Sequence, residues 1–166
     1  MIKLKDMLPA DLFKSAWGEV ERLVADNRWR IFDHVAGEIH GETIQEWLRR
    51  NADAVVPFDE QFNAYLNRFM IELDLYGIHM INPQVDKDGG DPFVITLALM
   101  LERRDLSDLR KRTTGDACCV LTNEAPKKNK VNIPHVCDIY GLPHMNLFDF
   151  MRHHGWEISL TVKHPE

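Results

Sequence analysis

The chain has 166 residues, which suits one domain or one domain with an appendage, and at that length about two-thirds of the unfolded surface can be buried without a disulfide or metal staple. Hydrophobic residues make up 45% and charged residues 28%, the composition of an ordinary globular protein. The net charge of −6 is uneven: residues 1–109 hold 12 Lys/Arg against 20 Asp/Glu, and residues 110–166 hold 8 against 6.

An acidic front and a mildly basic back fit a protein whose two parts face different partners. The plain alternative is statistical scatter in an acidic protein. His135, His144, His153, His154 and His164 add positive charge to the back below about pH 6.5. The longest apolar run, Phe93 to Leu101, is too short to span a bilayer, and M-I-K-L-K-D-M-L-P at the N-terminus does not read as a signal peptide. Cys118, Cys119 and Cys137 are odd in number and include an adjacent pair, which argues against a disulfide framework and for a reducing cytoplasm. No C-x-x-C exists for zinc, and neither a metal nor a cofactor is expected.

In chain order, Pro9 to Asn27 reads as a helix, with Leu12, Phe13, Ala16, Trp17, Val20, Leu23 and Val24 on one stripe. A second helix is expected over Ile31 to His40, ended by Gly41, and a third over Glu42 to Asn51. Pro57 to Tyr76 is the longest periodic segment, with Asp59 as its cap and Gly77 as its left-handed stop. Asn82 to Pro92 reads as a loop; its aspartates fail the EF-hand register. Asp91-Pro92 opens a helix over Phe93 to Arg104, although Val94 to Leu97 also suits a buried strand. Leu106 to Arg112 continues as helix, with Arg110, Lys111 and Arg112 complementing its dipole. Thr113 to Lys130 breaks that character, and Ala117 to Leu121 is β-prone. The junction between an acidic helical domain, 1–112, and a C-terminal region, 113–166, is placed there.

Residues 131–156 carry the one pattern that points to a function. Ile133, Val136, Ile139 and Tyr140 form a first helix, with the small Cys137 four residues before Gly141. Gly141 permits the positive φ of a tight turn, and Leu142 anchors it. Pro143 then opens a second helix with Leu147, Phe148, Phe150 and Met151 inward, stopped by Gly155. Trp156 to Val162 alternates as a strand, where a wing would stand. This is the layout of a helix-turn-helix. On its second helix His144, Asn146, Arg152 and His153 would face outward, Asn suited to adenine and Arg to guanine or phosphate. Lys127, Lys128 and Lys130 could follow a phosphate backbone. Asp149 and Asp138 offset that charge.

The stretch N-I-P-H-V-C-D-I-Y-G-L-P-H-M-N-L-F-D-F-M-R-H-H-G-W, above all Asn146 to Trp156, resembles the C-terminal helix-turn-helix domain of phage antirepressors, the KilA-C type. Asn146, Arg152 and Gly155 match beyond the apolar positions. The resemblance implies a phage or prophage regulator acting on DNA, on a repressor, or on both. His34 and Glu38 at i, i+4 lack a third ligand for a metal, and no nucleophile, P-loop or glycine-rich fingerprint is present.

The expectation is therefore a mainly α fold, an N-terminal helical bundle followed by a winged helix-turn-helix with a short strand pair. The expected function is a small non-enzymatic, cytoplasmic regulator that binds DNA, not membrane, through Lys127, Lys128, Lys130, His144, Asn146, Arg152 and His153. Its acidic part would serve homodimerisation or partner contact. The alternative is an inhibitor or adaptor that binds a host protein and uses the helix-turn-helix only as scaffold.

Overall fold

The computed structural model describes residues 8–9, 13–37, 41–80, 91–112, 117–125 and 131–157. The described chain is mainly helical and forms two compact units. One comprises Met1–Val56 with Leu147–Glu166, and the other is Pro57–Asn146. The expected junction at 112/113 falls inside the second unit.

In the first unit, α1 (Lys14–Ala25) buries Ala16, Trp17, Val20 and Leu23, the stripe legible in the sequence. Next come β1 (Ile31–Phe32), α2 (Asp33–Gly37), α3 (Glu42–Arg50), a 3-10 turn at Ala52–Ala54 and β2 (Val55–Val56). The strands pair in parallel, Ile31 opposite Val55 and Phe32 opposite Val56. The helix expected over Ile31 to His40 is thus corrected. Ile31 and Phe32 are consecutive and both buried, and their backbone goes to the partner strand; among the described residues of that stretch the helix covers Asp33–Gly37. Trp17 and Trp47 meet edge to face at 5.7 Å, and the Trp17 indole N–H donates to Leu8 O at 2.7 Å. The last helix of the chain, α7 (Leu147–His153), belongs here too, with Phe150 against Trp29 and Trp156 at 6.1 and 5.6 Å.

The second unit is built on α4 (Glu60–Leu75) and α5 (Asp91–Leu101). Asp59 caps α4 by accepting from the Phe62 N–H at 2.7 Å, and Gly77 ends it at φ +64°, both as expected. Ile95 to Met100 is an unbroken buried run, so this stretch of α5 is covered on all sides and shows little amphipathic signal. It ends at Leu101, and residues 102–111 run as turns, so the expected helix over Leu106 to Arg112 is corrected. Buried charge pins that turn region. Glu102, fully buried, accepts from Arg104 Nε at 2.7 Å and from the Cys118 N–H at 2.8 Å. Arg104 in turn donates to Arg110 O at 2.9 Å, and a helix running through the region could not satisfy these groups.

β3 (Val120–Leu121), α6 (Ile133–Tyr140) and β4 (His144–Met145) close the unit. β3 and β4 are parallel, Val120 opposite His144 and Leu121 opposite Met145. Parallel neighbours need a crossover, and α6 supplies it. The sequence expectation is met for α6 and for Gly141, which sits at φ +61°. It fails after Gly141. Pro143 does not open a helix: its carbonyl accepts from the Val120 N–H at 2.8 Å, the chain continues as β4, and α7 begins only at Leu147. Phe148, expected inward, is 37% exposed. Gly155 ends α7 at φ +63°, as expected. Most of the proposed wing, and the 82–92 loop up to residue 90, lie outside the described residues. No helix among the described residues is long and apolar enough to cross a membrane.

Candidate nucleic-acid interface

The chain leaves β3 at Thr122, whose N–H extends the ladder to Met145 O at 3.1 Å. Thr122 Oγ1 accepts from the Glu124 N–H at 3.2 Å. Glu124 then reaches across to α6, where its Oε2 accepts from the Ile133 N–H at 2.9 Å. Asn132, 4% exposed, caps the same helix by accepting from the His135 N–H at 3.1 Å, and its Nδ2 donates to Ala125 O at 2.8 Å. Residues 124–125 and 132–133 are therefore clasped together. Lys127, Lys128 and Lys130 lie between the two sides of this clasp in sequence and outside the described residues.

The clasp stands at the carboxyl end of a parallel strand and at a helix N-terminus, where α/β proteins bind ligands and where backbone N–H groups favour anions. Glu124 fills one of those N–H groups with its own carboxylate. Attraction for an anion at this edge must therefore come from side-chain cations.

The remaining expected contact residues divide between the units. His144 and Asn146 belong to 57–146. His144 is half-buried, its Nε2 3.1 Å from Asp138 Oδ1, while Asn146 is exposed. Arg152 and His153 belong to the other unit, on α7. Arg152 is 76% exposed and pairs with Asp149 at 2.7 Å, a surface contact worth a few tenths of a kcal/mol that a ligand could displace. His153 is exposed, with its ring 5.2 Å from that of His154. Desolvation, then His153, Arg28 and Arg22, hold the His154 imidazole below its ordinary pKa. The expected continuous face of one recognition helix is thus replaced by a β-α-β edge in one unit and a seven-residue helix in the other.

Among the described residues no three His, Cys, Asp or Glu side chains gather as a metal set, and Glu38, the partner considered for His34, lies outside them. Sequence reasoning passed over the cations of residues 103–112, because it read them as the end of a helix. No local signal marks the turn region, since Arg104 with Asp108 and Asp108 with Arg112 have the i, i+4 spacing of helical ion pairs.

The model of a family described as "Domain of unknown function (DUF4411)" matches residues 110–158. That range, 49 of the 166 residues, takes in the β3–α6–β4 unit and α7. No curated protein and no solved structure matches the chain.

Proposed function

We propose that the chain is a nucleic-acid-binding regulator that holds the phosphate backbone at the carboxyl edge of the β3–α6–β4 unit, with Lys127, Lys128 and Lys130 as its cations. The observation that carries this reading is the clasp of Glu124 and Ala125 onto Ile133 and Asn132. It brings residues 124–125, which follow a strand terminus, against residues 132–133, where a helix starts, and the three lysines fall between these flanks in sequence. The reading keeps DNA as the partner and moves the contact from a recognition helix to a βα loop. Asn146 follows directly on β4 and is exposed, so it is the polar side chain suited to a base or sugar contact beside the phosphates. The resemblance of Asn146 to Trp156 to phage antirepressors supports a phage or prophage setting.

The test is fluorescence anisotropy with a labelled random duplex. Replacing Lys127, Lys128 and Lys130 with Gln should weaken binding at least tenfold at about 50 mM salt and flatten the slope of log K against log salt by about 0.9 per lost contact. Unchanged binding by the triple variant would overturn the reading.

One observation favours a protein partner instead. Ile71, Leu75 and Tyr76, at the end of α4, are 55, 75 and 47% exposed. If Ile71→Ser with Leu75→Ser abolished an association that persists in about 0.5 M salt, where exposed charges are largely screened, the adaptor reading would gain.

A further inference from the structure

We infer that residues 103–112 form a second, preorganised cationic contact for the phosphodiester backbone of a nucleic acid. This inference goes beyond the lysine-segment reading and can fail separately from it. Arg103, Arg110, Lys111 and Arg112 are all exposed, against the partly buried carboxylates of Asp105 and Asp108. The dipole of a helix over 106–112 is not the reason for Arg110, Lys111 and Arg112, because α5 ends at Leu101 and residues 102–111 run as turns.

The loop that carries them is held from inside. Its neck is closed by the Asp105 N–H donating to Lys111 O at 3.3 Å and by Arg104 Nη1 donating to Arg110 O at 2.9 Å. Tyr65 OH donates to Arg104 O at 2.7 Å, Arg68 Nη2 to Ser107 O at 3.0 Å, and the Leu109 N–H to Glu72 Oε1 at 3.4 Å. Glu102 and Arg104 pair beneath it, with the Arg104 side chain 4% exposed and that of Glu102 fully buried. Within the loop, Asp105 Oδ1 accepts from both the Ser107 N–H and its hydroxyl, at 2.8 and 2.7 Å. Burying two opposite charges and several backbone groups under a surface loop fixes its shape, so little ordering entropy remains to be lost on binding.

Two details place the cations for use. Arg103 adopts a left-handed φ of +51°, which side-chain-bearing residues disfavour and glycine accepts freely. This is the left-handed C-cap of α5, closed by the Arg103 N–H donating to Met100 O at 2.9 Å and the Arg104 N–H to Leu99 O at 3.1 Å, and it fixes the backbone where the loop starts. Arg110 lies 5.5 Å over the Tyr76 ring and 3.3 Å from Asp108, which orients its fork while leaving it 54% exposed. Fixed guanidinium groups suit phosphate oxygens, which they can grip with two parallel hydrogen bonds. Lipid headgroups share the phosphodiester chemistry, and the experiment separates the two sources.

The full chain is compared with a variant carrying Arg103→Gln, Arg110→Gln, Lys111→Gln and Arg112→Gln, and with the Lys127/Lys128/Lys130→Gln variant. The probes are a labelled random 20-base-pair duplex and phosphatidylserine vesicles. Thermal melting confirms that each variant is folded. The loop variant is expected to bind duplex at least tenfold more weakly, with the salt slope flatter by about 0.9 per contact removed, and Arg103→Gly alone should lose about one such step. If the loop variant loses binding and the lysine variant keeps it, the inference stands and the lysine reading falls. The inference is overturned if the loop variant binds duplex as the parent does, if it loses only vesicle binding, or if the parent itself binds no duplex at low salt.

Discussion

Single residues carry the parts of the structure that are hardest to read and easiest to break. Glu102 is fully buried and shares its carboxylate between Arg104 and the Cys118 N–H. Nothing in the local sequence marks it, since its donors come from a turn and from a segment 16 residues on. Glu102→Ala should cost about 3–5 kcal/mol in urea unfolding, because it strands a buried guanidinium. Cys137 is fully buried, and burial, then the charge of Asp138, pushes its thiol up to about 12. Burial and the Glu72 carboxylate raise the Tyr140 phenol likewise. Both groups hold their protons more tightly folded than unfolded. Their contribution to stability is complete below about pH 8 and falls as pH rises through 9 and above. Urea midpoints should drop between pH 8.5 and 10.5, and Cys137→Ala should remove part of that drop. By contrast, Asp59, Gly77, Gly141 and Gly155 were legible from sequence, because a cap and a left-handed turn are decided by one residue and its immediate neighbours.

At the scale of elements, helices with a clear 3.6-residue stripe were legible. The bodies of α1, α3, α4 and α6 lie where periodicity puts them. The four strands among the described residues have two residues each, too few for alternation to register, and only the β-prone run at Ala117 to Leu121 foreshadowed one of them. Their parallel pairing joins Ile31 with Val55 and Val120 with His144, which are 24 residues apart in each case. Local propensity cannot see such pairings. Missing β4 is what turned a crossover helix, a strand and a further helix into an apparent helix-turn-helix. The clasp on α6 gives this scale its own test. Asn132→Ala removes both the cap on the His135 N–H and the hydrogen bond to Ala125 O. It should cost about 1–2 kcal/mol. It should also speed amide exchange at His135 while leaving the amides of α4 unchanged. Leu99→Ala, at a fully buried position of α5, should cost about 2–5 kcal/mol with a cooperative transition in the unit 57–146.

For the whole molecule, the sequence's split into an acidic front and a basic back locates charge correctly along the chain but not in the fold. The two compact units interleave in sequence, with α7 returning to the unit that holds the N-terminal helices. Of the residues expected to touch DNA, His144 and Asn146 fall in one unit, Arg152 and His153 in the other, and the three lysines beyond the described residues. A net charge of −6 on the chain means that any affinity for nucleic acid must come from local clusters against an unfavourable overall field. Such binding is dominated by counterion release, and salt governs it steeply. The most direct test is therefore the slope of log K against log salt for the intact chain on a random duplex, measured from about 25 to 200 mM. A slope of about −3 or steeper, corresponding to three or more phosphate contacts, is expected; a slope near zero, or no binding at the lowest salt, would contradict a phosphate-gripping function.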